Sequence, residues 1–128
     1  MKSRTRIAAG ALAAAAILAP TAVQAAAAPS PYAQAAAAVR AIGTLAYGKN
    51  IVSVSRPFTG RYCVRVGNDV DLSTEVVLVT PWNDLNKTYG VWTAPHPLCG
   101  NLLHTIMVAF NTSDTKVAAN TPFFLAIP

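Results

Sequence analysis

The chain has 128 residues, of which 53% are hydrophobic, and a formal net charge of +5. Three of its ten basic side chains, Lys2, Arg4 and Arg6, lie at the very start; the rest sets seven basic against five acidic groups, a net charge of +2. These charges are scattered singly, without the Lys and Arg clusters and interleaved aromatics of a nucleic-acid surface, and two cysteines are too few for a four-cysteine zinc site.

In chain order, the three early cations precede an apolar run over 7–18 and then small residues, the three-part pattern of a secretory signal. Pro20, Thr21 and Gln24 interrupt the run before it reaches the roughly 20 residues of a membrane span. The first cysteine is Cys63, too far along to carry a lipid. Residues 1–25 are therefore read as a signal peptide cut after Ala25, which leaves a secreted or envelope-associated chain with no stable membrane span. An Ala-rich segment over 26–42 follows. Ser30, Pro31 and Gly43 suit the cap, first turn and end of a short helix, with a flexible leader as the alternative.

From 43 to 128 the texture changes to short apolar runs separated by Gly, Pro, Asn and Asp, which points to strands. Residues 51–55 alternate with Val52 and Val54 on one face, and 57–60 make a turn. Over 61–66, Tyr62, Val64 and Val66 share one face while Arg61, Cys63 and Arg65 share the other. The unbroken apolar run 76–79 fits a strand covered on both faces, ended by Pro81 and Asn83-Asp84. Residues 89–93 make a further strand with Trp92 in the core. A central strand over 102–110 aligns Leu102, His104, Ile106, Val108 and Phe110, and 123–127 closes the domain with Phe123, Leu125 and Ile127 pointing one way. This pattern predicts an all-β fold, a small antiparallel β-sandwich, with an open β-barrel as the alternative.

In an oxidising compartment Cys63 and Cys99 are read as a disulfide. Because Cys63 lies on the polar face of its strand, the bridge would pin residues 94–100 against the outside of the sheet or tie down an edge.

The run Val54-Ser55-Arg56-Pro57-Phe58-Thr59-Gly60-Arg61-Tyr62-Cys63 resembles a V-x-R-P-x-T-G-x-Y-C motif found in uncharacterised small secreted proteins of actinobacteria. Gly43-Thr44-Leu45 and Gly48 before it, a second cysteine after it and the ending Phe124-Leu125-Ala126-Ile127-Pro128 agree with that likeness. The resemblance implies an exported β-sandwich-like module and carries no catalytic residue across. In mechanical terms Pro57 stops a strand, Gly60 supplies the positive φ of a hairpin turn, and Tyr62 buries its ring with the hydroxyl near the edge.

Candidate chemistry is sparse. No nucleophile elbow is present; His96 lies between two prolines in a loop, His104 reads as a hydrogen-bonded strand residue, and disulfide formation removes both thiols as nucleophiles. Asp69 and Asp71 lie in a polar turn, but Thr74 and Thr80 stand where a calcium loop wants Gly and Glu. No metal or cofactor is therefore expected. The sequons at Asn86 and Asn111 read as polar loops. Trp82, in the loop after Pro81, is the side chain best suited to stack on a sugar or anchor a partner, and Arg56 and Arg61 are the accompanying binding candidates. The resulting expectation is an exported, non-enzymatic β module with a binding or structural role toward an extracellular or envelope partner. Two alternatives are a protease inhibitor presenting residues 94–100 and a small secreted hydrolase.

Overall fold

The computed structural model describes residues 32–128. The expected signal peptide and residues 26–31 of the Ala-rich segment lie outside the described residues.

Eight strands follow one another: β1 Ala35–Val39, β2 Leu45–Lys49, β3 Ile51–Phe58, β4 Arg61–Val66, β5 Leu78–Pro81, β6 Lys87–Trp92, β7 Thr105–Thr112 and β8 Phe123–Ile127. They form two four-stranded antiparallel sheets, one in the order β2-β1-β8-β5 and the other in the order β3-β4-β7-β6. The fold is a β-sandwich. Period-two patterning explains why the sheets stack: Tyr62, Val64 and Val66 of β4, Ile106, Val108 and Phe110 of β7, and Phe123, Leu125 and Ile127 of β8 all enter one core. Removing each of these large side chains from water contributes roughly 1.5–3 kcal/mol.

The structure corrects five local expectations; one is that β7 begins only at Thr105, so Leu102, 47% exposed, and His104, at φ 58°, lie outside the strand. Residues 35–39 form β1, an inner strand with all five residues buried, rather than part of a leader or helix. Alanine favours helix intrinsically, but an isolated short helix is marginal in water, whereas β1 finds ladder partners on both sides in β2 and β8. Strand β5 is an edge strand, not one covered on both faces, because Val79 points inward while Leu78 stays 53% exposed. Pro57 and Phe58 continue β3 and only Thr59 and Gly60 make the turn, since β3 is an edge, where a missing N–H is tolerated. Trp92 lies outside the core, 44% exposed. Its ring reaches across Gly90, where an added Cβ would stand 3.1 Å from the indole, so a glycine on the outer face gives the indole a resting place.

Between β2 and β3 the chain passes from one sheet to the other through Asn50, at φ 55°. Its carboxamide donates to Gln34 O at 3.1 Å and to Asp69 Oδ1 at 3.0 Å, so Asp69 serves this corner. The described chain ends close on itself, since Gln34 N donates to Ile127 O and Gln34 Nε2 donates to Pro128 O.

Cys63 and Cys99 form a disulfide with a Cα–Cα distance of 5.7 Å. As the side-chain alternation implies, the bridge is on the outside of the second sheet, where it covers Met107 and Ala109 with the 3-10 turn Pro97–Cys99. Cross-linking residues 36 apart restricts the unfolded chain by about 4 kcal/mol on the chain-entropy account. Reduction, or Cys63→Ala combined with Cys99→Ala, is expected to lower the thermal midpoint by at least about 15 °C, measured by circular dichroism with and without reductant.

Candidate functional site

Trp82 is positioned by the end of the β5–β8 ladder. Pro81 pairs with Phe123, and Trp82 N donates to Pro122 O at 2.8 Å, so the ladder extends one residue past the strand. Asn83 then turns the chain away with φ 56°, a left-handed conformation that asparagine tolerates better than most residues. The half-buried indole stacks on Phe124, with ring centroids 4.9 Å apart and an interplanar angle of 28°. Phe124 alternates with the core-facing Phe123 and Leu125, so the pair lies outside the core.

Beside the indole is a cleft of about 300 Å³ lined by Arg40, Ala41, Trp82, Asn83, Asp84 and Pro122. It is a shallow, open depression whose volume is at the lower end of the range of small-ligand sites. Arg40 Nη1 donates to Leu45 O at 3.1 Å, which holds the guanidinium at the rim. Lys87 Nζ donates to Asp84 Oδ2 at 2.8 Å. That hydrogen bond, with lesser help from Asn86 N, holds the Asp84 carboxyl below its usual range, leaving it an anionic acceptor at neutral pH.

The back of this cleft is held by Tyr62. Its buried ring meets Phe110 and Phe123 edge-on, with centroids 5.9 and 5.1 Å away. The hydroxyl donates to Ala41 O at 2.6 Å and accepts from Thr121 N at 2.9 Å. Both partners adjoin the cleft, Ala41 as a wall and Thr121 as the neighbour of Pro122. Burial pushes the Tyr62 phenol above its ordinary pKa, outweighing the hydrogen bond from Thr121 and the nearby Arg56 charge.

The structure brings Arg56 to the rear of the same region, where Nη1 donates to Ala41 O at 3.3 Å. Arg61 is elsewhere. Its guanidinium donates to Gly60 O, Phe110 O and Asn111 Oδ1, fastening the β3–β4 turn to β7. The chain matches no protein-family model, no curated protein and no solved structure.

A second cleft, of about 260 Å³, lies at the other end of the sandwich and includes Asp71, Ser73 and His104. Those residue types suggest nucleophilic chemistry, but the contacts run otherwise: Ser73 Oγ donates to Asp71 Oδ1 at 2.6 Å, and His104 Nδ1 is 3.1 Å from Val70 O. His96 Nδ1 accepts from Leu98 N and caps the 3-10 turn. Among the described residues, His96 bonds to the backbone of Leu98 and His104 to that of Val70, and neither activates a hydroxyl or thiol.

Nothing in the sequence marks Arg40 or Phe124 as a site residue on its own. Phe124 could have been found, because strict alternation puts it opposite Phe123 and Leu125. Arg40 could not, since the Ala-rich segment gave no strand signal.

Tyr62→Phe leaves Thr121 N without its partner and Ala41 O with Arg56 alone, and is expected to destabilise the fold by about 1–3 kcal/mol. Since folding favours the neutral phenol, its contribution is intact below pH 10 and is lost as pH rises through the raised value. Chemical denaturation from pH 7 to 11 should show wild type losing stability above pH 10, with that component missing in Tyr62→Phe.

Proposed function

We propose that the protein is an exported, non-catalytic β module that binds a ligand or partner outside the cell through the cleft beside Trp82. The observation carrying this reading is the indole itself: a large ring outside the core, oriented by a backbone bond and by Phe124, beside a shallow depression with a cation, an anion and an amide around it. Aromatic anchors of this kind dominate recognition because they combine large contact area with few rotatable bonds. Export is supported by the secretory pattern of the first residues and by a disulfide, which persists in oxidising compartments. Among the described residues no helix is long and apolar enough to cross a membrane.

The geometry gives less support to the other readings. An inhibitor that mimics a protease substrate presents an extended strand, whereas Pro97–Cys99 is a 3-10 turn that runs into the buried Cys99. A hydrolase needs a nucleophile within reach of a base, and the Ser73 and His104 contacts point elsewhere.

Trp82→Ala is expected to reduce retention of the purified protein on the insoluble envelope fraction of its own bacterium by tenfold or more in co-sedimentation. The loss of one aromatic pair should cost only about 1 kcal/mol of stability. Unchanged retention in a folded Trp82→Ala variant would refute the role of the cleft.

A further inference from the structure

The outer face of the first sheet continues the cleft. Directly opposed residues of an antiparallel sheet project to the same side, so the strand register defines two transverse rows there. One runs Lys49, Ala36, Ala126, Leu78, and the next runs Tyr47, Ala38, Phe124, Thr80. Ala35, Ala37 and Val39 face the core instead. Ala36 and Ala38 face outward yet are only 7% and 0% exposed, so the accessible part of this face is the aromatic ring on either side of Ala38 and not the alanine methyls. Tyr47 is 51% and Phe124 37% exposed. They are two strand spacings apart, about 10 Å, and Trp82 on Phe124 joins the row to the cleft.

Two features narrow the ligand. Pyranose rings present apolar C–H faces that stack on aromatic rings and hydroxyl edges that both donate and accept, and two rings of an extended β-linked chain cover the distance between Tyr47 and Phe124. The cleft matches such edges with the Arg40 donor, the Asn83 amide and the Asp84 acceptor. Its charge complements neither a polyanion, which would meet Asp84, nor a polycation, which would meet Arg40.

We propose that this face and the cleft together bind an uncharged, β-linked oligosaccharide, one ring over Tyr47, another over the Phe124–Trp82 pair, and hydroxyls directed to Arg40, Asn83 and Asp84. The proposal rests on the binding function assigned to the Trp82 cleft and names its ligand class.

The test is titration calorimetry of the folded protein with the β-1,4-linked tetramers of N-acetylglucosamine and of glucose. Saturable binding of at least one is expected. Tyr47→Ala should weaken it about tenfold, the effect of removing one stacked ring, and Tyr47→Phe should preserve it. Tyr47→Thr, which keeps strand propensity, replaces the alanine variant if that one loses its β-sheet spectrum. Failure of both tetramers to bind, or binding indifferent to Tyr47, overturns the proposal. If Trp82 still governs envelope retention in that case, the binding function stands and tetragalacturonate and a hexapeptide identify the alternative ligand class; if it does not, both inferences fall together.

Discussion

One phenolic oxygen joins the two sheets at the end where the candidate site lies. Tyr62 belongs to β4 of the second sheet, yet its hydroxyl holds Ala41, just past β1, and Thr121, just before β8. A buried hydroxyl without partners would be costly, and buried backbone groups without partners equally so. The three therefore settle one another. Neighbouring parts of the chain reinforce this junction: Arg56 donates to the same Ala41 carbonyl, and Arg61 fastens the adjoining turn. Gly60 fits there because an added Cβ would stand 2.7 Å from Phe110 O and 2.8 Å from Ala119 N, at a φ of 69°. Tyr62 and Arg56 thus hold the Ala41 wall of the cleft, while Gly60 and Arg61 fasten the adjoining turn.

The sequence made some strands plain and hid others, for reasons of side-chain size. In β4 the inward Tyr62, Val64 and Val66 alternate with Arg61, Cys63 and Arg65, and in β8 Phe123, Leu125 and Ile127 share one face although Phe124 on the other is also large, so period two marks both strands. Alanine carries no such contrast. In β1 both faces are alanine, and the decisive information is the presence of two neighbouring strands far along the chain, which no local window contains. Strand β5 misled for the opposite reason: its apolar run suggested burial on two sides, but a sheet edge leaves Leu78 and Val76 open. Trp92 shows a third case. Its register was legible, but its exposure depended on Gly90, whose missing side chain lets the indole lie flat outside the sheet.

The site was legible in part. A tryptophan between a strand-ending proline and Asn-Asp reads as a loop aromatic, and the structure keeps it out of the core. What surrounds it was not readable, because Arg40, Pro122 and Trp82 meet only once β1, β8 and β5 are aligned. Arg56 approaches this region through the backbone of Ala41, whereas Arg61 is held by carbonyl groups around its own turn. Two arginines five residues apart, both in the second sheet, thus take different mechanical roles, one behind the cleft and one at the β3–β4 turn.

Strands β1 and β8 run antiparallel at the centre of their sheet, and Gln34 clasps Pro128 at the end opposite the cleft. Any polypeptide or surface attached beyond either position departs from that pole, so a tethered molecule would hold its indole outward, away from the anchor. Tension applied to both termini would also load the β1–β8 hydrogen bonds one after another, as a zipper opens, instead of shearing them all at once. The fold suits display from a fixed point better than service as a stressed link between two others.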